Sequence, residues 1–302
     1  MARPYTVPAA DVCDGLCYGL RANGVDVTTE AVIRQPIDLV IMIDGARRDP
    51  EILARWRAYC PVAVVFTESP YDMDLEMDVA QHVDAGWTQE RTTVSAFQAV
   101  NSRVKYLPHA WHPDRHFADS QPIGVPIPSH DVVFVGTGFP ERVTWLNSID
   151  WTGIDLGLYG IWDGLGLSDQ AQECVRGGTV SNVYAAALYR HAKIGLNLYR
   201  TRLRGSRDPI IAESLNPRAY ELAACGAFSI SNHRTEVLEK FRYLVPTITS
   251  AVDMEWLIRE WLKNDVLRER VKSGLPACVE KDSWTHRAAQ VLEDVRTWGL
   301  VA

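Results

Sequence analysis

The chain alternates short apolar runs with helical patterns in two successive series, and this alternation limits its fold more than any other feature. The apolar runs are continuous and rich in β-branched residues, which is typical of parallel strands buried on both faces. The predicted strands are 39–43, 63–66, 85–88, 104–107, 131–135, 154–159, 194–198 and 228–231, with a further candidate at 25–28. The predicted helices are 49–59, 93–101, 140–147, a short one within 213–226, 253–263 and 284–298. The pattern predicts parallel sheets with helices on both faces.

A linker is predicted at residues 119–130, DSQPIGVPIPSH. This stretch holds three prolines and a glycine and has no apolar periodicity, which is typical of a domain boundary. We therefore predict an α/β protein of two doubly wound, Rossmann-like domains, 1–122 and 123–302, that face each other across a cleft. Ligands of such sheets bind beyond the carboxyl ends of the strands. The last helix is predicted to pack back toward the N-terminal domain.

The acidic surplus of the chain lies almost entirely in its first part. Residues 1–125 hold 17 Asp and Glu against 11 Lys and Arg, whereas residues 126–302 hold 21 against 20. Because proteins bind nucleic acids through Lys and Arg side chains, this charge disfavours binding of a polyanion by the first part. No apolar stretch reaches the roughly 18 residues of a membrane span, and the start lacks the apolar core of a signal peptide. Together with six scattered cysteines, this predicts a soluble, cytoplasmic protein.

The segment 213–226, ESLNPRAYELAACG, carries the clearest chemical signal. Asn216 reads as the N-cap of a helix, Pro217 as its first residue and Gly226 as its stop. A helix N-terminus attracts anions such as a diphosphate. Glu213 and Glu221 flank this end and could accept hydrogen bonds from sugar hydroxyls. The alternative, a helix-end carboxylate plus a solvated glutamate, stays open.

Two further segments are candidates for phosphate binding. Gly136-Thr-Gly138 follows a predicted strand and precedes a helix that carries Arg142, although the full dinucleotide fingerprint is absent. A run without acidic residues contains six cations: Arg190, Lys193, Arg200, Arg202, Arg204 and Arg207. A tight turn without a ligand and a solvated loop are the respective alternatives.

Two metal patterns compete with this interpretation. Asp72-Met-Asp74 has the shape of a carboxylate pair that holds a divalent ion against a diphosphate, but it lies in an acidic stretch that reads better as a helix start. His109, His112 and His116 with Asp114 have donor types that zinc accepts. We favour neither. Tryptophans could stack on a sugar or a base, although core packing is the more common role; the candidates are Trp87, Trp111 and Trp162.

These segments resemble the glycosyltransferases of GT-B architecture, specifically the CgeB-like (spore maturation protein) family. The resemblance runs from about Pro36 to the end and is densest in 131–141, 184–198 and 213–231; 67–71 and 106–109 are similar in the first part. It implies that Glu213 faces the donor sugar, Glu221 faces the nucleotide ribose, and N–H groups near Leu215 and Asn216 hold the diphosphate. The family's Gly-Phe-Gly is Ser-Leu-Asn here, and its first glycine loop is reduced to a remnant at 9–15.

The mechanism that follows depends on stereochemistry. A retaining enzyme needs no strong base, because the leaving diphosphate can take the acceptor proton; cations then stabilise the leaving group. We assign Arg142 and Lys193 to that role, with Arg207 third. An inverting enzyme needs a base from the first domain, with Asp44, Glu68 and His109 as candidates.

The chain is therefore predicted to be a metal-independent, retaining glycosyltransferase that needs no cofactor and uses a nucleotide-sugar, with a UDP-sugar favoured. Its acceptor is predicted to be a protein side chain or a glycan, and a modified DNA base is the less favoured option. A nucleotide-sugar epimerase or hydrolase and a non-catalytic nucleotide-sugar-binding module are the alternatives. Three sets of residues are predicted: catalytic, Glu213, Arg142, Lys193 and Glu68; donor-binding, Gly136, Gly138, Leu215, Asn216, Arg218, Glu221, Arg207 and Asn197; acceptor-side, Asp44, Asp72 and His109.

Overall fold

The computed structural model describes residues 12–29, 36–43, 50–119, 123–202 and 209–301. Within these ranges the chain forms two parallel sheets flanked by helices, which confirms the predicted α/β class. The helices are α1 (Val12–Ala22), α2 (Pro50–Arg57), α3 (Met73–Ala80), α4 (Val94–Val100), α5 (Pro140–Asn147), α6 (Asp169–Gln172), α7 (Asn182–His191), α8 (Pro217–Ala224), α9 (Thr235–Phe241), α10 (Ala251–Leu262), α11 (Asp265–Cys278) and α12 (Trp284–Thr297). None of these described helices is both long and apolar enough to cross a bilayer.

Within the described residues, the first sheet has four strands in sequential order. They are β1 (Val40–Ile43), β2 (Val62–Phe66), β3 (Ala85–Thr88) and β4 (Val104–Tyr106), and each neighbouring pair is parallel. All five residues of β2 are buried, because helices α2, α3 and α4 cover one face of this sheet and α1 and α12 cover the other. A continuous apolar run is what such a two-sided strand requires.

The last helix packs on the first sheet through a close contact with α1. A side chain at Gly15 or Gly19 would overlap Trp284, so the two glycines let these helices approach closely. Gly15 is therefore a helical packing residue, and the predicted remnant of a glycine loop at 9–15 is wrong at this position; residues 9–11 lie outside the described part. The predicted boundary at residue 122 lies outside the described residues and stays a prediction.

The second sheet, as far as the described ranges extend, has six parallel strands in the order β10-β9-β8-β5-β6-β7. These are β5 (Val132–Val135), β6 (Leu156–Tyr159), β7 (Val175–Gly177), β8 (Ile194–Asn197), β9 (Ser229–Asn232) and β10 (Thr247–Ile248). The side chains of β5 alternate between two clusters: Val132 and Phe134 lie in one core, and Val133 packs with α7 and α8 in the other. The core of the second part is thus divided by its sheet.

The sequence pattern predicts most of the described strands and about half of the described helices to within two or three residues. It does not predict β7, β10, α6, α7 or α9, and it fails at three further places. Residues 25–28 are irregular and not a strand. Helix α11 was not predicted, because Gly274 and Pro276 interrupt its pattern with residues that normally weaken helices. Helix α1 was also not predicted, since its glycines read as a loop rather than as a packing face.

Candidate functional site

The second sheet contains a topological switch point between β5 and β8. From β5 the chain continues to β6 on one side, and it later returns to place β8 on the other side. In doubly wound sheets the crevice at such a point, beyond the carboxyl ends of the strands, is where ligands bind. The residues at this edge are Val135 at the end of β5, Gly136 directly after it and Asn197 at the end of β8.

Four predicted donor-binding residues meet at this edge: Gly136, Asn197, Asn216 and Arg218. The amide of Asn216 donates to Oδ1 of Asn197 over 2.8 Å, and Nη1 of Arg218 lies 3.4 Å from the same oxygen. The guanidinium of Arg218 also donates to the carbonyl of Val135, from Nε at 2.9 Å and from Nη2 at 2.5 Å. A Cβ atom at position 136 would overlap Arg218, so glycine is required for this approach.

Helix α8 begins and ends as the sequence predicts. The side chain of Asn216 accepts from the N–H of Ala219 over 3.1 Å and so caps the helix, with Pro217 as the first helical residue. Gly226 follows the helix with a φ of 61°, the left-handed conformation that favours glycine at this position. The helix start therefore faces the crevice in a fixed orientation.

The turn at Gly136 and Gly138 does not offer its N–H groups to a phosphate. The N–H of Gly136 donates to the carbonyl of Tyr159 over 2.8 Å, and that of Gly138 donates to Ile161 over 2.9 Å. A side chain at Gly138 would overlap Trp162. The prediction that these glycines bind phosphate directly is therefore corrected: they hold the turn and make room for Arg218.

Among the described residues, four arginine side chains lie side by side in space along this edge, with aromatic rings between them. We call them the arginine row. They are Arg218, Arg142, Arg200 and Arg234. The Cζ atoms of Arg218 and Arg142 lie 4.5 and 5.4 Å from the ring of Phe134, and those of Arg142 and Arg200 lie 4.8 and 5.1 Å from the ring of Phe139. Stacking on aromatic faces partly offsets the cost of placing like charges together.

The row continues to the first part of the chain through Tyr71. The guanidinium of Arg200 lies 4.3 Å above the Tyr71 ring, and the hydroxyl of Tyr71 donates to the carbonyl of Arg200 over 2.9 Å. Arg234 donates to the same carbonyl over 2.7 Å. Glu68 lies 3.6 Å from Arg200, so a carboxylate of the first part reaches the row.

Arg142 is a buried member of the row, in the first turn of α5. It is 7% exposed and its guanidinium donates to two carbonyls, those of Leu198 at 2.8 Å and Thr137 at 2.7 Å. Burial lowers its pKa to about 9, and the positive charge of Arg218 adds to this lowering. A buried cation held by neutral carbonyls gains strongly from a bound anion.

Glu221 lies one turn inside α8 and is 8% exposed. Burial raises the pKa of its carboxyl to about 7, and the charge of Arg218 opposes that rise. The carboxyl therefore changes its charge near neutral pH. Hydrogen-bond donors that approach it would favour the ionised form.

Glu213 lies in the loop before α8, where it is held by Arg91. The Nε of Arg91 donates to the Glu213 carboxylate over 2.8 Å, and its terminal nitrogens donate to Glu239 over 2.6 and 3.0 Å. The carboxylate of Glu213 retains 36% exposure. The carboxylate is thus held in one orientation by Arg91 and is still accessible to a ligand.

The backbone of this loop is already bonded to carboxylates. The N–H of Leu215 donates to Glu236 over 2.6 Å, and the N–H groups of Glu213 and Ser214 donate to Glu90 over 3.2 Å. The prediction that the Leu215 N–H holds a diphosphate is corrected accordingly, because a buried glutamate occupies that donor. Burial raises the pKa of Glu236, and the bonds from Leu215 and Tyr106 oppose this rise.

The acceptor-side candidates have different environments. Asp72 lies at the start of α3, in the turn that follows Tyr71. His109 follows β4; its Nδ1 is buried without a hydrogen-bond partner among the described residues, and burial lowers its pKa to about 3. A pKa so far below neutrality makes His109 a weak general base, which corrects that candidate role.

Lys193 is not brought together with the other candidates. It immediately precedes β8 and therefore lies at the amino end of that strand, whereas the crevice is at the carboxyl end. Its Nζ pairs with Asp131 over 2.8 Å. We remove it from the catalytic set for this reason. Asp44 and Arg207 lie outside the described residues.

The histidine cluster near the linker has a structural explanation. His116 Nδ1 accepts from the N–H of His112 over 3.0 Å, and His112 Nδ1 accepts from the N–H of Asp114 over 3.2 Å. These rings therefore hold the turn that leaves the first sheet. Over the ranges that the structure describes, no group of three or more His, Cys, Asp or Glu side chains is arranged to hold a metal ion.

Several residues at the site were not given a role by the sequence. Arg200 was named only as one of six cations in a candidate phosphate-binding run, and Arg234 was not named. Each lies just beyond the carboxyl end of a strand, β8 and β9, so the rule that placed Arg142 would have found them. Glu90 and Arg91 follow β3 in the same way. The binding of Leu215 by Glu236 gives no local sequence signal, because it depends on how α9 packs on the loop.

Much of the sequence that forms this site matches a known protein family. The sequence profile of a family described as glycosyl transferase-like matches residues 142–293, which include Arg142, Glu213 and Glu221. The matched segment is half of the chain, and the chain belongs to this family. A comparison with curated protein sequences finds no match.

The fold is similar to several solved glycosyltransferase structures. Sucrose-phosphate synthase from Thermosynechococcus elongatus superposes with a TM-score of 0.59 at 14% identity, over 86% of this chain and 73% of that one. An α,α-trehalose 6-phosphate synthase from Burkholderia multivorans gives 0.55 at 12% identity, over 88% and 72%. An α-glucosyltransferase solved with UDP-glucose and DNA containing an abasic site gives 0.58 at 10% identity, over 86% and 80%. These similarities show a two-domain GT-B fold.

Proposed function

We propose that this protein is a retaining glycosyltransferase that takes its sugar from a nucleoside diphosphate donor, with UDP-sugars favoured. The observation that carries the proposal is the pairing, at one sheet edge, of the arginine row with the buried carboxyl of Glu221. The row offers positive charge to a diphosphate, and Glu221 offers an acceptor to the ribose hydroxyls. The resemblance in 213–231 supports the CgeB-like branch of the family.

The proposed donor pose assigns each group one task. Arg142 and Arg218 hold the diphosphate, since they flank the start of α8 and the turn after β5. Glu221 lies one turn deeper and receives the ribose. Glu213 orients the sugar through its exposed carboxylate. Because the arginines supply positive charge at the diphosphate, the reaction is proposed to proceed without a metal ion.

The transfer itself requires little covalent chemistry from the protein. The bond between the anomeric carbon and the diphosphate oxygen breaks, and a bond from that carbon to the acceptor oxygen forms. The acceptor proton passes to the leaving diphosphate oxygen on the same face, so retention follows without a strong base. The protein stabilises the charge that develops on the leaving group.

The acceptor is proposed to be a hydroxyl of a protein side chain or a glycan. Glu68 and Tyr71 from the first part lie beside Arg200, so an acceptor that enters from that side would meet both parts of the chain. The acidic surplus of residues 1–125 argues against a long DNA contact there. A modified DNA base is therefore kept only as an acceptor to be tested.

The proposal is tested by binding and then by turnover. We expect one nucleoside diphosphate from a UDP, GDP, ADP and CDP panel to raise the melting temperature by about 5 °C at 100 times its Kd. The matching nucleotide-sugar should be hydrolysed slowly, with water as acceptor, and chromatography would detect the released diphosphate. If none of the four nucleotides stabilises the protein, the donor site is wrong. Isomerisation of the sugar without release would indicate an epimerase, and binding without any turnover would indicate a binding module.

The raised pKa of Glu221 predicts a specific pH dependence of donor binding. Ribose hydroxyls donate hydrogen bonds, so they favour the ionised carboxyl, which predominates above about pH 7. The affinity for the nucleotide-sugar should therefore rise about tenfold between pH 6 and pH 8. Calorimetry at pH 6 in buffers of different ionisation enthalpy should also detect the release of nearly one proton on binding.

The matched control is Glu221→Gln, whose amide does not titrate. Its donor affinity should be lower than that of the wild type at pH 8 and constant across the range. The nucleotide-sugar is preferable to the free diphosphate as the probe, because its diester phosphates do not titrate in this interval. A flat profile in the wild type would show that Glu221 does not contact the donor.

A further inference from the structure

The loop that carries Glu213 is held by a glutamate from the other sheet. Glu90 follows β3 and is 3% exposed. Its carboxylate accepts from the N–H of Glu213 over 3.2 Å and from the N–H of Ser214 over 3.2 Å. The N–H and hydroxyl of Thr92 donate to the same carboxylate over 3.0 and 2.9 Å. A buried carboxylate is therefore fully engaged with donors on both parts of the chain.

The next residue holds the same loop by its side chain. Arg91 donates to the Glu213 carboxylate over 2.8 Å, and its N–H donates to the hydroxyl of Ser214 over 2.9 Å. Glu239 fixes the far end of the guanidinium. Glu90 thus holds the backbone of Glu213, and Arg91 holds its carboxylate.

From this geometry we infer that Glu90 is a positioning residue for the transfer reaction. It fixes the backbone of Glu213 and Ser214, so that the Glu213 carboxylate faces the donor sugar only when the two parts of the chain are in this arrangement. The inference rests on the proposed function, because it takes Glu213 as the residue that orients the sugar. Glu90 itself touches no substrate.

The physical reason for such an arrangement is the precision that transfer demands. A misplacement of about 1 Å in an orienting group can reduce turnover about 100-fold. A loop of irregular backbone does not hold a carboxylate to that tolerance without support. Hydrogen bonds from the N–H groups of Glu213 and Ser214 to Glu90 supply the support. Because Glu90 belongs to the first part of the chain, the site is complete only when both parts are present.

The inference is tested with Glu90→Ala and Glu90→Gln in the full chain. In Glu90→Ala the N–H groups of Glu213 and Ser214 lose their acceptor, and we expect kcat for nucleotide-sugar hydrolysis to fall about 30- to 100-fold. The Kd for the nucleoside diphosphate should change less than threefold, because Arg142, Arg218 and Glu221 are untouched. Glu90→Gln keeps one carbonyl acceptor and should recover part of the lost kcat. Hydrogen exchange of the Glu213 and Ser214 amides should be fast in Glu90→Ala and slow in the wild type.

Lys105→Met is the control, since it removes a polar contact of the first part of the chain, the ion pair of Lys105 with Asp294 at 2.6 Å, away from the loop. Its kcat should be unchanged. Wild-type kcat in Glu90→Ala would overturn the inference. Tighter binding of the diphosphate to Glu90→Ala with kcat retained would also overturn it, because Glu90 would then block the loop rather than position it. A failure of the proposed function can be distinguished from a failure of this inference. If the proposed function were wrong, the wild-type protein itself would neither bind a nucleotide nor hydrolyse a nucleotide-sugar.

Discussion

Replacing Arg142 with methionine should lower kcat for nucleotide-sugar hydrolysis 100- to 1,000-fold, roughly the loss found when one transition-state donor is removed. The guanidinium is buried at the switch point and flanked by Arg218 and Arg200, so little water screens its charge. The charge that develops on the leaving diphosphate would lose this buried cation. Steady-state release of the diphosphate measures this loss.

The same substitution should leave the thermal stability nearly unchanged. Burial, together with the positive charge of Arg218, lowers the pKa of Arg142 from 12.5 to about 9, which corresponds to about 5 kcal/mol of destabilisation that methionine would remove. Against this, two carbonyls, those of Leu198 and Thr137, lose their donor, at about 1 to 3 kcal/mol each. The two effects nearly cancel. A stable but inactive variant is the expected result, because a cation kept at such cost is retained for function.

Arg268→Met is the control for Arg142→Met. Arg268 is 4% exposed and is bonded to Asp265 and to the carbonyl of Trp261, far along the chain in α11. Its loss should lower the melting temperature and leave kcat unchanged. If Arg142→Met kept full turnover, the leaving-group role would be excluded. Arg142→Lys should be intermediate, because it keeps the charge but not the forked geometry.

Replacing Glu213 with glutamine should lower kcat about 100-fold, with the Kd for the nucleoside diphosphate within threefold of the wild type. Glutamine preserves the size of the side chain and can still accept from Arg91, so the loop should stay in place. What is lost is the negative charge that faces the sugar. Isothermal titration with the diphosphate and hydrolysis of the nucleotide-sugar separate the two quantities.

The structure supplies a matched control in Glu239→Gln. Glu239 is the second carboxylate on Arg91, with two bonds at 2.6 and 3.0 Å, and it lies on α9 at the surface. Its substitution perturbs Arg91 without touching the sugar position, so kcat should change less than threefold. Equal losses in Glu213→Gln and Glu239→Gln would mean that Glu213 serves only as a partner of Arg91.

The sequence predicted the site residues in the second part of the chain better than those in the first part. Asn216 and Gly226 could be identified because capping depends on a few consecutive residues, and the structure has the same helix bounds. Asn197 and Arg218 were also named as donor-binding residues; the structure places them at the end of β8 and in the first turn of α8. Lys193 was misplaced although it lies only four residues from Asn197, since the two occupy opposite ends of β8.

The glycine turn shows a different kind of failure. Gly136 and Gly138 have the spacing of a phosphate loop, but their N–H groups bond to the carbonyls of Tyr159 and Ile161. Whether a backbone donor is free depends on the neighbouring strand connection, which lies more than twenty residues away. Spacing alone therefore predicted the turn and not its hydrogen bonds.

The sequence by itself determined the two parallel sheets, the helix that opens at Asn216 and the cations near it. These follow from burial periodicity and capping, which act over a few residues. Only the tertiary structure decided that four arginines form one row, and that Glu90 and Glu236 occupy the N–H groups of the loop 213–215. Glu90 and Glu213 are separated by 123 residues, and no local periodicity encodes such a contact. It exists because the carboxyl ends of the first sheet face the start of α8, and burial then requires every donor in the loop to find an acceptor.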